Sequence, residues 1–291
     1  VRDLLASKKD NEFTHEDKII LAQYEGDGGQ TTNNDSDAKG KGLLYEFYTP
    51  QQMIDKTWDI IQGYIQPGAT VLEPSAGIGK WAKNIQGIKF DMLEIDPTSS
   101  RIAKILNPDS EVKNMPFEKM FLDNMNRSVK EYKGKKYGAA VGNPPYGTMT
   151  GTYKASEGKG FTRYENYFMS RSLDTLEEGG ILAMVVPSGF LSKDSSNPEK
   201  KRIMDKCELV DAYRFPEGAF SNTKIGTDLV ILRKNTTGTQ DNEHAYGGRF
   251  FEANPDKVLG EKKERKNRFG KLESYIEGDV SKFLEIQPPT P

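Results

Sequence analysis

The residues with the most specific chemistry are Asn143-Pro144-Pro145-Tyr146, directly after an apolar segment. Two successive prolines fix φ and donate no hydrogen bond, so the turn is stiff and its prolines offer only carbonyl acceptors. The Asn143 side-chain oxygen and a proline carbonyl can together accept both protons of an exocyclic NH₂ group, while Tyr146 offers an aromatic face to a base. Rigid acceptors on both N–H bonds favour a pyramidal nitrogen whose lone pair is aimed at a methyl carbon. The turn therefore predicts methyl transfer to an amine nitrogen.

A glycine-rich segment upstream, Glu73-Pro74-Ser75-Ala76-Gly77-Ile78-Gly79, is typical of a nucleotide-binding turn. The motif Gly77-x-Gly79-x-x-Ala82, with Glu94 seventeen residues past Gly77, satisfies a dinucleotide fingerprint, although an acid there can hold the ribose of any nucleoside cofactor. A carboxylate at Glu73 suits the ammonium of a methionine moiety better than a pyrophosphate. The segment favours S-adenosyl-L-methionine, and the amine-directed turn at 143–146 decides for it.

The elements that must position these residues alternate between strand and helix. The predicted strands are 70–72, 90–95, 111–113, 137–141, 180–186, 209–215 and 228–233, and the predicted helices are 51–64, 80–88, 97–106, 118–132, 164–176 and 198–205. This alternation predicts an α/β fold with a doubly wound, mostly parallel seven-stranded sheet. The last two strands lack a clear helix between them, which predicts an antiparallel hairpin at one edge.

The chemistry-bearing residues collect at the carboxyl ends of consecutive predicted strands, where ligands bind in open α/β sheets. The glycine-rich segment follows the first strand, and Glu94 and Asp96 lie at the end of the second. Asn114 and Phe117 follow the third strand, and Asn143 follows the fourth. We therefore expect a cofactor to lie across this edge of the sheet.

Composition excludes several classes of protein. The 291 residues contain one Cys and two His, which excludes a disulfide scaffold and a Cys/His zinc site, so we expect no metal. No apolar run approaches the roughly 18 residues of a membrane span, and a lone thiol fits a reducing cytoplasm. The net charge of −2 means that nucleic-acid binding needs a local basic surface.

We expect three regions along the chain. Residues 1–42 form an N-terminal helix, with Thr14 and Asp17 in capping-box spacing, and a flexible Gly/Asn/Asp-rich linker. Residues 43–235 form the catalytic domain, and residues 236–291 form a weakly structured, partly basic extension. Between Asp256 and Lys271 this extension carries seven Lys/Arg against three Asp/Glu, a pattern that fits either a solvated face or a nucleic-acid contact.

Phe47-Tyr48-Thr49-Pro50 ahead of the glycine-rich segment, followed by Gly142-Asn143-Pro144-Pro145-Tyr146, resembles the N-6 adenine DNA methylase family. The motif order is that of type I modification subunits and TaqI-like enzymes, and the resemblance covers about residues 43–235. It implies the class I S-adenosylmethionine-dependent methyltransferase fold and methylation of adenine N6 in DNA. Residues 23–26 and 215–220 further resemble the methylase portion of large phage- or plasmid-borne methylase–helicase proteins.

This resemblance implies residue roles around the cofactor. Thr49 holds its carboxylate, Glu73 its amino end and Glu94 its ribose hydroxyls, while Asn114 and Phe117 flank its adenine. Family members often carry Asp before Phe at the third strand end, where this chain has Pro116. Further cofactor contacts are implied for Tyr48, Pro74, Ala76, Gly77, Gly79, Ile95 and Asn143.

The resemblance also implies that the target base is received by Asn143, Pro144, Pro145 and Tyr146, with Phe220 as a second stacking face. The partner is DNA, with a separate or fused specificity or helicase region, in a bacterial or phage-encoded restriction-modification or antirestriction setting. Because a stacked base cannot reach a buried donor, the adenine must be flipped out. The Gly/Thr/Lys-rich residues 148–163 are expected to form a DNA-facing loop.

Alternative functions remain at this point. Amino-methyltransferases acting on RNA bases or on a protein glutamine use the same turn, because their NH₂ groups pose the same chemical problem. A non-catalytic DNA-recognition module is a further alternative, and a nicotinamide dehydrogenase rests on the glycine-rich segment alone. Methylation of the cytosine ring requires a nucleophilic Cys, whereas Cys207 lies in Asp-Lys-Cys-Glu without a preceding proline.

Overall fold

The computed structural model describes residues 1–26, 49–82, 87–149, 160–193, 196–220, 224–238, 240, 242, 245 and 248–290. Its centre is a seven-stranded sheet, and a separate two-stranded hairpin lies near the C-terminus. The strands of the sheet are β1 Thr70–Glu73, β2 Lys89–Glu94, β3 Glu111–Asn114, β4 Tyr137–Gly142, β5 Leu176–Pro187, β6 Cys207–Arg214 and β7 Thr227–Lys234. The hairpin consists of β8 Glu261–Lys266 and β9 Leu272–Glu277.

The sheet has the order β3-β2-β1-β4-β5-β7-β6. The first five strands are parallel, and β7 is antiparallel to both β5 and β6. The predicted fold class is therefore confirmed, including the antiparallel pair at one edge. Because β7 inserts between β5 and β6, the amino end of β7 and the carboxyl ends of β5 and β6 meet at the edge where β1 to β4 end.

The helices cover both faces of the sheet. They are α1 Arg2–Ser7, α2 His15–Leu21, α3 Gln51–Ile61, α4 Pro97–Leu106, α5 Tyr164–Thr175, α6 Gly189–Ser192, α7 Pro198–Met204, α8 Phe250–Ala253 and α9 Ser281–Leu284. Among the described residues, none of the helices is long and apolar enough to cross a bilayer.

Alternation along the strands produces two apolar layers. Successive side chains of a strand point to opposite faces, so Val71 joins the layer beneath α3 while Leu72 joins the layer beneath α5. In β5 the same alternation separates Ile181, Ala183 and Val185 from Leu182, Met184 and Val186. Burial on both faces fits the continuous apolar runs from which these strands were predicted.

The N-terminal helices pack against α4. Leu5 of α1 and Leu21 of α2 contact Ile102 and Ile105 of α4 in a small apolar cluster. The Arg101 guanidinium of α4 donates to the carbonyls of Leu5 and Lys8, over 2.7 and 2.9 Å. The predicted capping box of Thr14 and Asp17 is present at α2. Most of the predicted linker lies outside the described residues.

The helix predicted over 118–132 is wrong. A short 3-10 helix, Phe117–Phe121, is followed by turns. The Asp123 carboxylate accepts from the backbone N–H groups of Met125 and Arg127, and Asn126 has φ 55°. Such local side-chain bonds compete with helix formation. The helix predicted over 80–88 is also absent from its described residues: Lys80 and Trp81 form a turn.

The extension predicted to be weakly structured contains instead the β8–β9 hairpin and α9. Its strands carry few apolar residues, so hydrophobic alternation gave no signal. Ion pairs across the two strands stabilise the hairpin instead of an apolar face: Lys263 pairs with Glu277, and Arg265 Nε lies 2.7 Å from Glu273 Oε1. Cross-strand pairs of opposite charge stabilise antiparallel strands.

Candidate active site

The glycine-rich segment forms a tight turn after β1. The backbone N–H of Ala76 donates to the carbonyl of Leu93 over 2.8 Å, which fixes the turn against the end of β2. Gly77 and Gly79 have φ values of 57° and 81°, in the left-handed region that favours glycine. A Cβ at Gly79 would lie 2.5 Å from Asn107 Nδ2. The turn therefore requires glycine at position 79 for its backbone conformation and for space.

Glu94 joins this turn to the end of β2. Its buried carboxylate accepts from the backbone N–H of Gly77 over 2.6 Å and from that of Asp96 over 2.8 Å. Ile95, between the two, is half-buried. Asp96 has a separate role, because its carboxylate caps α4 by accepting from Ser99 N over 2.7 Å. A carboxylate held by two N–H donors is fixed in one orientation for a hydroxyl-bearing ligand.

Glu73 is a buried carboxylate in an unfavourable environment. Its side chain is 1% exposed, and neither carboxylate oxygen has a hydrogen-bond partner among the described residues. Burial raises the pKa of Glu73 well above its usual value, because desolvation penalises the charged form. Pro74 beside it is also buried. An unpartnered buried carboxylate at a strand end fits a cationic group of a ligand, whose binding would offset the cost of burial.

Asn143 lies where three segments of the chain meet. The turn 143–146 follows β4, and the Asn143 Nδ2 group donates to the buried Thr49 Oγ1 over 3.3 Å. Ser75 Oγ of the glycine turn donates to the Asn143 carbonyl at 3.5 Å. The segment leading into α3, the turn after β1 and the turn after β4 are thus in direct contact. The sequence placed these residues at one sheet edge, and the structure brings them together.

The Tyr146 hydroxyl lies 2.7 Å from Asn143 Oδ1 and 2.7 Å from the carbonyl oxygen of Val185 in β5. A hydroxyl carries one proton, so it can donate to only one of these two acceptors at a time. The side chain is 4% exposed, and burial raises the pKa of Tyr146 well above its usual value. Tyr146 therefore stays protonated and available as a donor. Pro144 is buried and Pro145 is half-buried.

The segment that follows the 143–146 turn is closed by hydrogen bonds between its first and last residues. The Gly147 N–H donates to Glu165 Oε2 over 3.1 Å, and its carbonyl accepts from Tyr164 N over 2.9 Å. Met149 N donates to the Thr162 carbonyl over 2.8 Å. The loop predicted over 148–163 thus begins and ends at a closed base anchored on α5, and its residues 150–159 lie outside the described part of the chain.

The β3 end contributes two side chains in different environments. The exposed Asn114 donates through Nδ2 to the carbonyls of Glu94 and Ile95, over 2.8 and 3.0 Å, and so links the ends of β2 and β3. Phe117 is 1% exposed and packs against Phe121 and Phe168. An exposed amide and a buried ring therefore follow one strand end.

Two residues expected in the site, Tyr48 and Phe220, are not seen to line it. Tyr48 lies outside the described residues. Phe220 is 1% exposed, with its ring 4.4 Å from that of Phe215 and 6.3 Å from that of Phe283. To stack on a base, the Phe220 ring would have to leave this aromatic cluster.

A buried ion pair beside the turn was not predicted. Arg214 at the end of β6 binds Asp228 of β7 with two hydrogen bonds of 2.9 Å, and Ser188 Oγ donates to Asp228 over 3.1 Å. Asp228 is fully buried, and burial raises its pKa although Arg214 and Ser188 lower it. Its charge also contributes to the raised pKa of Tyr146, after burial and the charge of Glu165. The sequence feature that indicates this ion pair is Asp228, an acidic residue at the start of an apolar strand.

The described residues contain no cluster of His, Cys, Asp and Glu suited to a metal ion. The arrangement thus consists of a glycine turn, an unpartnered carboxylate, a second carboxylate at the next strand end and a rigid amide. These groups can hold a nucleoside ligand with a cationic tail and can accept hydrogen bonds from an amine beside it.

Comparison with known proteins gives one family match. The model of N-6 DNA Methylase matches residues 30–275. Defense against restriction protein B of Escherichia phage P1 is 31% identical over 238 residues, which are 80% of this chain and 10% of that protein. Modification methylase CviBIII of Paramecium bursaria Chlorella virus NC1A is 27% identical over 202 residues, 66% of this chain and 50% of that one. The chain thus spans half or less of these relatives.

Solved structures show the same fold. A Listeria monocytogenes protein assigned to the class I S-adenosylmethionine-dependent methyltransferases aligns with a TM-score of 0.54 at 13% identity, covering 82% of this chain and 74% of that one. A modification subunit assigned to a type I restriction enzyme of Vibrio vulnificus aligns with a TM-score of 0.51 at 19% identity, covering 67% of this chain and 46% of that one.

Proposed function

The chain belongs to the N-6 DNA methylase family, and on that premise we propose that it transfers a methyl group from S-adenosyl-L-methionine to the N6 amino group of adenine in DNA. The observation that carries this proposal is the contact of Asn143 with both Thr49 and Ser75. It places the amine-accepting turn directly beside the glycine turn. The names of the relatives, which include a modification methylase, support DNA as the substrate.

The residues at the sheet edge fit the proposed cofactor. Glu73 is the partner for the α-ammonium group, because it is buried and otherwise unpaired. Thr49 beside Asn143 is placed for the carboxylate end, and Glu94 for the ribose hydroxyls. Asn114 and Phe117 at the β3 end are proposed to flank the adenine. Tyr48, Pro74, Ala76, Gly77, Gly79 and Ile95 belong to the same proposed surface.

The bound cofactor supplies an electrophilic methyl group on a sulfonium. The chain itself supplies orientation. Asn143 Oδ1 and the Pro144 carbonyl accept hydrogen bonds from the two N–H groups of the adenine amino group. This arrangement turns the nitrogen lone pair out of conjugation with the ring. The stiffness contributed by Pro144 and Pro145 means that these acceptors need no reorganisation during the reaction. Correct positioning of two reactants can lower a barrier by roughly 7–11 kcal/mol at best. The N6–CH₃ bond would form as the sulfonium S–CH₃ bond breaks, which would leave a neutral thioether and a cationic nitrogen. That nitrogen would lose its extra proton to water after the transfer, so no side-chain base is required for the transfer step itself.

The adenine must leave the duplex to reach Asn143, at a cost of a few kcal/mol for unpairing and unstacking. The Tyr146 ring is the proposed stacking face, and Phe220 is a second candidate after displacement from its cluster. Since the chain spans half or less of its relatives, sequence specificity is proposed to come from a separate or fused specificity or helicase region. We further propose a restriction-modification or antirestriction role.

The test is to identify the methylated product. The chain is incubated with isotopically labelled S-adenosyl-L-methionine and unmethylated DNA, with parallel samples containing RNA or bacterial protein extract. We expect labelled N6-methyladenine from DNA alone, and none from Asn143→Ala. Label in RNA or in protein glutamine would show that this class of substrate, rather than DNA, is methylated. DNA binding without any methyl transfer would support a recognition module.

A further inference from the structure

The turn of the β8–β9 hairpin is strongly basic. Its tip segment, residues 265–271, contains Arg265, Lys266, Arg268 and Lys271 and no carboxylate. It also contains Phe269, whose side chain is 72% exposed, and the adjacent Leu272 is 65% exposed. The guanidinium carbon of Arg268 lies 4.7 Å from the centroid of the Phe269 ring, so an exposed aromatic ring and several cations form one surface at the tip.

The acidic residues of the hairpin do not neutralise this tip. Arg265 is held at the base by Glu217, whose two carboxylate oxygens lie 2.7 Å from its guanidinium nitrogens, and by Glu273. Lys263 pairs with Glu277. In the described part of the chain, by contrast, the side chains of the tip residues Lys266, Arg268 and Lys271 form no ion pair. These three exposed cations therefore face solvent.

The tip is ordered by hydrogen bonds among its own residues. The Asn267 side-chain oxygen accepts from the N–H groups of Phe269 and Lys271, over 2.9 and 3.0 Å. The Asn267 N–H donates to the Lys271 carbonyl over 2.8 Å. Gly270 has φ 75°, which glycine adopts without strain. Because the turn is already ordered before binding, the free energy of binding is not reduced by an entropic cost of ordering it.

The hairpin extends beyond the sheet edge that carries the candidate active site. Val258 pairs with Arg214 in a parallel bridge, and Leu259 N donates to the Arg214 carbonyl over 2.8 Å. The chain therefore runs past the carboxyl end of β6 in the same direction as that strand. Glu217, three residues beyond this end, contacts Arg265 and donates through its N–H to Ile276 over 3.0 Å. The base of the hairpin is thus anchored just beyond the carboxyl end of β6, at the sheet edge that also carries Asn143.

The lateral separation of β4 and β6 is short relative to a nucleic-acid duplex. In the sheet, β4, which ends at Asn143, is separated from β6 by β5 and β7. Three steps of about 4.8 Å give roughly 14 Å between β4 and β6. Phosphates follow one another along a duplex at about 3.4 Å per strand, so a duplex that presents one nucleotide at Asn143 carries backbone phosphates within reach of β6.

We propose that the tip segment binds the phosphate backbone of duplex DNA beside the target adenine. Lys266, Arg268 and Lys271 contact phosphates, and Phe269 packs against the neighbouring sugar. This inference rests on the proposed function for its choice of DNA, and it assigns a role to the basic cluster of the extension. Phosphate contacts position a protein on DNA without reading its sequence, so the tip increases affinity and fixes the approach of the duplex.

The test compares two triple variants of equal charge change. Lys266→Gln, Arg268→Gln and Lys271→Gln together form the tip variant. Lys89→Gln, Lys104→Gln and Lys133→Gln together form the control, because these exposed lysines lie in the first residue of β2, the last turn of α4 and the segment before β4. Affinity for a fluorescent duplex is measured by anisotropy over a range of salt concentrations, in both variants and the wild type.

The tip variant is expected to bind the duplex at least tenfold more weakly at low salt, and the slope of log affinity against log salt should fall by up to about 2.7, since each phosphate contact contributes about 0.9. The control should match the wild type in both quantities. A second variant, Phe269→Ser, should weaken binding with an unchanged slope. All variants should retain the wild-type melting temperature, because the replaced side chains are exposed.

Equal affinity and slope in the tip variant and the wild type would overturn the inference. So would a loss confined to an RNA duplex or to a protein partner, or a wild type without affinity for DNA. The product assay on the same samples separates this inference from the proposed function. At saturating DNA, N6-methyladenine formed equally by the tip variant and the wild type leaves the function standing whatever the anisotropy shows. Its absence from both counts against the function.

Discussion

The Tyr146 hydroxyl lies 2.7 Å from Asn143 Oδ1, the atom proposed to accept a proton of the target amino group. The same hydroxyl lies 2.7 Å from the Val185 carbonyl. In the ligand-free protein Asn143 Oδ1 can therefore be satisfied by Tyr146. When an amine arrives, the hydroxyl can donate to Val185 and leave Oδ1 to accept from the substrate. The two acceptors let the site exchange an internal hydrogen bond for a hydrogen bond from the substrate, so that both acceptors have a donor once the amine is bound.

Tyr146→Phe keeps the ring and removes this exchange. The variant removes the one donor shared by two acceptors, Asn143 Oδ1 and the Val185 carbonyl, so the free energy of unfolding should fall by about 1–3 kcal/mol. With Asn143 less well fixed, kcat should fall by about tenfold, which corresponds to about 1.4 kcal/mol, while KM for DNA stays near the wild-type value. Denaturant unfolding and steady-state kinetics provide the two measurements.

The control is Tyr132→Phe, because the hydroxyl of the buried Tyr132 likewise donates to a backbone carbonyl, that of Lys135, over 2.7 Å. It should lose stability but not kcat. A Tyr146→Phe enzyme with full kcat would show that the hydroxyl does not position Asn143.

Glu73→Gln should weaken cofactor binding through one ligand group. The unpaired carboxylate is proposed to bind the α-ammonium, and an amide cannot replace that charge. Binding of S-adenosyl-L-methionine and S-adenosylhomocysteine, measured by calorimetry, should weaken at least tenfold. Binding of 5′-methylthioadenosine, which has no ammonium, should not change. An equal loss for all three ligands would assign Glu73 a structural role instead.

The same carboxylate predicts how stability depends on pH. Since burial raises the pKa of Glu73 above the ordinary value of 4.5, the folded state binds its proton more tightly than the unfolded state. The stability associated with this proton is fully present below about pH 4.5 and is lost as pH rises towards the folded-state pKa. Glu73→Gln lacks this loss, so the stability of the variant minus that of the wild type should grow as the pH rises from about 4.5 towards the folded-state pKa. A constant difference in denaturant unfolding over this range would contradict the prediction.

Arg214→Ala should be strongly destabilising, because it leaves Asp228 buried without its cationic partner. Losing one partner of a buried pair costs about 3–5 kcal/mol. Adding Asp228→Asn should recover part of this loss, since the uncompensated charge is then removed. As a control, Arg127→Ala breaks an exposed pair with Asp123, in which Arg127 is 67% exposed, and should cost less than about 1 kcal/mol. Similar losses for Arg214→Ala and Arg127→Ala in urea unfolding would contradict this account.

Much of the fold could be predicted because its strands are buried on both faces. The apolar runs around Val71, Ala140 and Val185 identified β1, β4 and β5, and the family predicted from the motifs at 47–50, 73–79 and 142–146 is confirmed. The gathering of Glu73, Glu94 and Asn143 at one edge follows from the parallel direction of their strands.

Other features depend on contacts that local patterns do not contain. The helix predicted over 118–132 failed because Asp123 bonds to its own turn. The β8–β9 hairpin is stabilised by ion pairs such as Arg265–Glu273 rather than by an apolar face. The Arg214–Asp228 pair joins two strands through tertiary packing. The environment of Glu73, buried with no hydrogen-bond partner among the described residues, also required coordinates.

The most direct test of the central claim is the single-turnover rate of methyl transfer on pre-bound DNA, with cofactor affinity measured in the same samples. If Asn143 holds the amine beside the donor, Asn143→Ala should lower this rate by about 10²–10³-fold, the usual cost of losing one preorganised hydrogen-bonding group, while the dissociation constant of S-adenosyl-L-methionine stays within about twofold of the wild type. A variant that transfers the methyl group at the wild-type rate would contradict the account.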